Sequence, residues 1–146
     1  MTSHCRNTKQ RRVIFEELAR LDTHPTAGEL YAIVRRTLPH ISLGTVYRNL
    51  DRLVEAGQAK RIEGGSQVRY DADMVAHDHM RCVVCERVLD LPAPSRTLGE
   101  QLLDRVKGLA DGEILGLKVE IVGICSDCRE RLSARERAEI LRRWQS

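Results

Sequence analysis

At 146 residues the chain has room for one domain or two small ones, and with one Trp, one Phe and three Tyr its core must be filled by Leu, Ile and Val. Five cysteines, four of them in Cys-x-x-Cys pairs, with no leader and no long apolar run, argue against a secreted disulfide framework or a membrane protein and for a cytoplasmic, zinc-binding one. The net charge of +3 is uneven: residues 1–70 carry 12 Lys/Arg against 7 Asp/Glu, residues 71–146 carry 12 against 14, and a basic front half suits a nucleic-acid reader.

The first predicted helix starts at Thr8 as N-cap, with Val13, Ile14, Leu18 and Leu21 on one side. After a turn at His24-Pro25, Thr26 and Glu29 form a Thr-x-x-Glu capping box opening a second helix that buries Leu30, Ile33, Val34 and Leu38. Pro39 ends it. Ser42 caps a third helix whose Val46, Leu50, Leu53 and Val54 recur at helical spacing, and Gly57 closes it with a left-handed cap. Ala59–Ile62 and Gln67–Tyr70, joined through Gly64-Gly65, read as a hairpin.

Three helices and a hairpin make residues 1–70 a winged helix-turn-helix, the DNA-binding domain of an α+β chain. The start of the third helix is what such a fold places in the major groove, so Ser42, Thr45, Tyr47 and Arg48 are candidate DNA contacts. Lys60 and Arg61 on the wing would touch the phosphate backbone. A winged helix used for protein contacts is the alternative, and the basic excess argues against it.

Residues 71–146 read as a small α/β domain. Val88-Leu89 is a short strand, Pro92 and Pro94 mark a loop, and Leu98, Leu102, Val106 and Leu109 line a helix with Gly108 and Gly112 at its exit. Leu115, Leu117, Val119 and Ile121 alternate as a half-exposed strand, and Ser133 and Glu136 cap a last helix carrying Ile140, Leu141 and Trp144. Such a unit is too small to cover both faces of its sheet. Pairing as a homodimer across a two-fold axis is the expected remedy, and it matches palindromic DNA.

The chemistry concentrates in the nine residues His77-Asp78-His79-Met80-Arg81-Cys82-Val83-Val84-Cys85. Cys82-x-x-Cys85 and Cys125-x-x-Cys128, with 39 residues between them, can each grip one edge of a tetrahedron, the pattern of a structural Zn(2+) site closed by four thiolates. A redox dithiol is the competing use, but such motifs come singly at a helix start. His77 and His79 share one face if the segment is a strand. His24 and the carboxylates Asp71, Asp78 and Asp90 are available to join them, and spacing alone leaves a second metal site open. Cys5 reads as a free thiol.

Four motifs together carry a resemblance: the His24-Pro25-Thr26-Ala27 turn, Thr45-Val46-Tyr47-Arg48-Asn49-Leu50, His77-x-His79-x-x-Cys82-x-x-Cys85 and Cys125-x-x-Cys128. Along nearly its whole length the chain resembles the ferric uptake regulator family. The resemblance implies a winged helix followed by a dimerisation domain, acting as a metal-dependent transcriptional repressor on double-stranded operator DNA with an AT-rich inverted repeat. It further implies a regulatory metal at the hinge, held by His24, by Asp71 of Arg69-Tyr70-Asp71, by His77 and His79, and by Asp90. The iron- and zinc-uptake branches more often carry Glu at the last of these. Asp90 is similar to the peroxide-responsive branch.

Three nitrogens and two carboxylate oxygens suit Fe(2+) or Mn(2+), with a sixth position open to peroxide. The resemblance implies oxidation of His24 or His77 in the iron form and an inert manganese form. Most of the family's leading helix is expected to be missing, although Arg6 stands where a basic minor-groove contact is often found. Leu117 replaces a His common in relatives, so the additional metal site that uses it is not expected. The tail beyond Cys128 carries no assigned role. An iron-responsive uptake repressor with the same five ligands is the nearest alternative. A non-haem metalloenzyme on the His/Asp site is a different class, against which no substrate pocket or general base can be read, and a zinc-stapled interaction module is a third.

Overall fold

The computed structural model describes the chain apart from residues 1, 93–95, 110 and 146 and apart from the side chains of residues 2–8; the expected contact Arg6, the thiol of Cys5 and the loop residue Pro94 lie outside the described part. The front half opens with α1 (Thr2–Ala19), α2 (Ala27–Val34) and α3 (Leu43–Glu55). Contrary to expectation, α1 does not start at Thr8. Residues 2–8 hold neither Gly nor Pro, so nothing in them stops the helix from extending towards the N-terminus.

The predicted caps form. Thr26 N–H donates to Glu29 Oε2 at 2.8 Å while Glu29 N–H donates to Thr26 Oγ1 at 3.2 Å, and Thr45 N–H donates to Ser42 Oγ at 3.1 Å. Gly57 takes φ 67° just past α3, a conformation that a Cβ would strain. Beyond α2 the chain tightens, Arg36 N–H and Thr37 N–H reaching carbonyls three residues back, so Leu38 packs on the core from outside the helix.

The wing is β1 (Lys60–Ile62) paired antiparallel with β2 (Arg69–Asp71), Arg61 facing Tyr70. β2 is also tied to the turn before α2: Tyr70 N–H donates to the Pro25 carbonyl at 3.0 Å, and Thr26 bridges Arg69. Ile14, Leu18, Leu30, Val34, Val46, Leu50 and Leu53 are buried in one core beneath the three helices. Each contributes on the order of 1.5–3 kcal/mol by leaving water.

The back half is a three-stranded sheet in the order β4–β3–β5, made of β3 (Asp78–Cys82), β4 (Val88–Leu91) and β5 (Ile121–Gly123). β3 runs antiparallel to β4, placing His79 opposite Asp90, and parallel to β5. Around it in the chain lie helices α4 (Leu98–Val106), between β4 and β5, and α5 (Ser126–Arg131) and α6 (Ala134–Trp144), after β5. Its core is small: Cys82, Cys125 and Cys128 with Cys85, Leu89 and Ile124 packed against them.

Two expectations for this half need correction. Of the predicted strand Leu115–Ile121 only its last residue joins a ladder, as the first residue of β5, because β3 offers its edge through Met80–Cys82 and, among the described residues, Leu115–Glu120 have no strand beside them; Leu115 is 88 % exposed. Alternation reports which face a side chain takes, not whether a partner exists. α4 stops at Val106, leaving Leu109 outside it and 79 % exposed. Leu98, Leu102, Leu141 and Trp144 are likewise exposed, so this half carries uncovered apolar faces. α5 was not expected: it is six residues long and has no apolar stripe to announce it. Among the described residues no helix is long and apolar enough to cross a membrane.

The two cores share no residue. Leu50→Ala is therefore expected to cost about 2–5 kcal/mol in urea unfolding followed by far-ultraviolet circular dichroism. Alkylation of Cys82, Cys85, Cys125 and Cys128 should stay as slow as in the parent protein; simultaneous loss of both signals would show one cooperative unit instead.

Candidate metal centres and nucleic-acid interface

The thiols converge from two turns. Cys82 ends β3 and Cys85 lies in the turn to β4, while Cys125 occupies the N-cap of α5 and Cys128 lies in its first turn. The four sulfurs lie within 4.8 Å of one another, and no pair among them is a disulfide. Cys85 Sγ is 3.8 Å from Cys125 Sγ, close to the ~3.8 Å edge of a tetrahedron with ~2.3 Å metal–sulfur bonds. Arg87 donates through Nε to Cys85 Sγ (3.4 Å) and through Nη2 to Cys125 Sγ (3.6 Å), and Arg131 donates to Cys128 Sγ at 3.5 Å.

Burial pushes the Cys85 thiol up, but hydrogen bonds from Arg87, the backbone and the neighbouring cysteines outweigh it and bring its pKa from 9.0 down to about 6. Cys128 goes the other way, pushed up to about 12 by burial and by bonds shared with the other three thiols. Metal-free, the cluster therefore shares protons unevenly, and a cation that displaced them would relieve the conflict.

The second cluster assembles across the junction of the two halves. His24 comes from the turn between α1 and α2, Asp71 ends β2, His77 and His79 flank Asp78 at the start of β3, and Asp90 lies opposite His79 on β4. One donor atom each from His24, His77, His79 and Asp90 fall within 4.8 Å of one another. Asp90 Oδ1 is 2.6 Å from His24 Nε2, 3.0 Å from His77 Nε2 and 3.3 Å from His79 Nε2, near the ~3 Å edge spanned by donors ~2.1 Å from a shared ion. Asp71 stands behind this group: its Oδ2 is 3.3 Å from His77 Nε2 and 3.6 Å from His79 Nε2, and its Oδ1 is 3.7 Å from His24 Nδ1.

His24 is 2 % exposed and Asp71 4 %. His24 Nδ1, Asp71 Oδ2, His77 Nε2 and His79 Nε2 are all buried without a hydrogen-bond partner. Buried lone pairs aimed at one another are costly unless a cation lies between them, so the donor set fits a metal. His77 Nδ1 meets the Val75 carbonyl at 2.7 Å, which as Nδ1–H···O leaves the Nε2 lone pair facing the cluster. Burial and the neighbouring His24 and His77 hold His79 below its ordinary value of 6.5.

Asp78 is not part of the set. Its Oδ2 accepts the Leu98 N–H at 2.8 Å, holding the first turn of α4. Two arginines hold these sites in ways their sequence positions do not signal: Arg87, which donates to Cys85, Cys125 and Asp127, and Arg69, whose buried guanidinium binds two backbone carbonyls and Glu29. The backbone acceptors of Arg69 leave no trace in a side-chain pattern, and Arg87 meets Cys125 and Asp127 only through the fold.

On the DNA-facing side, Ser42, Tyr47 and Arg48 are exposed at the start of α3. Ser42 Oγ and Thr45 Oγ1 are 2.9 Å apart, and Arg48 Nη2 donates to Thr45 Oγ1 at 3.1 Å. On the wing Arg61 pairs with Asp51 of α3, and Lys60 Nζ donates to the Val75 carbonyl at 3.0 Å, towards the hinge.

Three helices with a two-stranded wing, followed by a unit with which they share a cluster able to hold a metal, match a class, the metal-responsive transcriptional regulators. Residues 2–109 match the ferric uptake regulator family, and the chain belongs to it. Its members are repressors rather than enzymes. The chain is 34 % identical over 127 residues to the peroxide-responsive repressor PerR of Staphylococcus saprophyticus, covering 86 % of this chain and 84 % of that one. Among solved structures it is similar to the Campylobacter jejuni peroxide stress regulator (28 % identity, TM-score 0.66, 87 % and 94 % of the two chains). It is also similar to the Helicobacter pylori ferric uptake regulator Fur, described with three functional metal binding sites (25 % identity, TM-score 0.70, 86 % and 83 %).

The lowered His79 value has a consequence for the metal-free protein. The unfolded chain takes up a proton near pH 6.5 that the folded His79 refuses until lower pH, so stability is level above 6.5 and falls as pH drops towards the folded value. Urea midpoints at about pH 7.5 and about pH 5.5 are expected to show this fall, and His79→Asn to reduce it.

Proposed function

We propose that this protein is a homodimeric repressor that senses hydrogen peroxide through a metal at its hinge. One observation carries the reading: His24, which belongs to the DNA-binding half, meets Asp90, His77 and His79 of the other half around one point. An ion bound there by His24, Asp71, His77, His79 and Asp90 joins the two halves, and losing one donor frees them. Shifting such a switch from closed to open takes roughly 5 kcal/mol of differential metal affinity.

On this reading Cys82, Cys85, Cys125 and Cys128 hold Zn(2+) as a structural staple, and the exposed apolar faces of the back half pair two copies. Ser42, Thr45, Tyr47 and Arg48 of each copy enter successive major grooves of an AT-rich inverted repeat, with Lys60 and Arg61 on the flanking wing and Arg6 near the minor groove. Domain limits of 1–70 and 71–146 put the boundary just before Asp71, the last residue of the wing strand β2, with the paired histidines beyond it.

The donor set without thiolate favours Fe(2+) or Mn(2+) over Zn(2+) at the hinge. Bound iron(II) supplies peroxide reduction beside the imidazoles, and bound manganese(II) does not. His24 and His77, both buried against Asp90 and Asp71, are the side chains expected to gain oxygen. The Asp at position 90 and the likeness to proteins named for their peroxide response favour this over an iron-uptake repressor.

Peptide mass spectrometry after brief peroxide treatment tests it. A one-oxygen gain on the peptides holding His24 or His77 is expected with iron(II) and not with manganese(II). Unmodified histidines in protein that demonstrably holds iron would transfer the assignment to an iron-responsive repressor.

A further inference from the structure

Arg69 precedes Asp71 on β2 with one residue between them, and its side chain is 10 % exposed. Its guanidinium makes three contacts: Nη1 donates to the His24 carbonyl (3.0 Å) and to Glu29 Oε2 (2.9 Å), and Nε donates to the Glu86 carbonyl (3.0 Å). Those two carbonyls belong to unusual residues. Among the described residues, His24 (φ 45°) and Glu86 (φ 58°) are the only ones other than glycine with positive φ. Such a conformation crowds Cβ against the backbone and persists where surroundings enforce it.

Each strained residue sits in a turn that aims metal donors. The His24 turn delivers the imidazole of the front half. The Cys82–Arg87 turn is the thiolate knuckle, closed by Glu86 N–H on the Cys82 carbonyl at 2.9 Å and by Cys82 N–H on the Arg87 carbonyl at 2.8 Å. A planar guanidinium with donors on separate nitrogens can pin both turns in a fixed relation, whereas a single ammonium on a flexible stem cannot. The ion pair with Glu29 is a lesser part, because that carboxylate is 54 % exposed and already caps α2.

We propose that Arg69 is a positioning residue that couples the thiolate knuckle to the hinge site, holding the backbone of His24 so that its imidazole reaches Asp90. The inference rests on the hinge-metal reading above and adds a mechanical link between the two metal centres. Filling the hinge site then tightens the knuckle, and an ordered knuckle sharpens the hinge site.

The test uses the full-length, zinc-containing protein titrated with manganese(II), free ion being read by electron paramagnetic resonance and zinc content by a chromogenic chelator. Arg69→Lys and Arg69→Gln are expected to weaken manganese binding about 10- to 100-fold with zinc retained. Glu29→Gln, which keeps one side-chain oxygen as an acceptor and removes the charge, should stay within about twofold of the parent. Parent-like affinity in both Arg69 variants, or an equal loss in Glu29→Gln, would overturn the proposal. Should the Arg69 variants fail to fold, hydrogen exchange on the unmodified protein decides: manganese must slow the amides of residues 82–87, and unchanged exchange refutes the coupling. His24→Ala titrating like the parent would instead remove the hinge reading itself.

Discussion

The structure depends on a crowd of acceptors with too few protons among them. Two carboxylates and three imidazoles meet where β2, β3, β4 and the turn before α2 converge, and four of their buried atoms have no hydrogen-bond partner. A protein without a bound cation could relieve this only by taking up protons or by letting the elements part. Burial opposes the first at His79. The second would separate two apolar cores that share no residue. On the reading proposed above, a cation between the halves is what orders them.

The contrast between the two clusters follows from their surroundings. The thiols lie inside one small unit, within the one buried cluster found among its described residues, and guanidinium groups donate to their sulfurs. On the proposed reading a metal there would substitute for missing hydrophobic bulk in a segment too short to bury enough surface. The imidazoles and carboxylates instead lie between units, and Asp90 is partly open to water. On the proposed reading, the buried thiols make the structural centre and the more open site between the halves the regulatory one.

Much of this was legible beforehand. The caps at Thr26, Ser42 and Ser133 and the buried Val46, Leu50 and Leu53 of α3 are local signals, and they appeared where the residues placed them; in the second helix Leu30 and Val34 are buried, while Ile33 is half-buried and Leu38 lies beyond the helix end. The Cys-x-x-Cys pairs were equally plain, because a tetrahedral site demands donors in close pairs. His24 and Asp71 were not legible from spacing: His24 lies far from His77 along the chain, Asp71 is one of several nearby carboxylates with nothing to single it out, and only a likeness to known proteins brought them in. The strand expected over Leu115–Ile121 failed for a different reason, since pairing depends on an edge that the pattern of one segment does not contain. The part played by Arg69 was not legible either, its acceptors being carbonyls of turns whose shapes emerge only in the fold.

Asp78 stands between the two histidines with its carboxylate on the first amide of α4. That one bond makes β3 a common rail: one end of the strand carries the imidazoles, and the helix hung from it carries the exposed Leu98 and Leu102. A small translation of β3 would drag the apolar row of α4 along with it. Strain at the imidazoles would thus be felt at the outer face of the back half, and pressure on that face would be felt by the imidazoles.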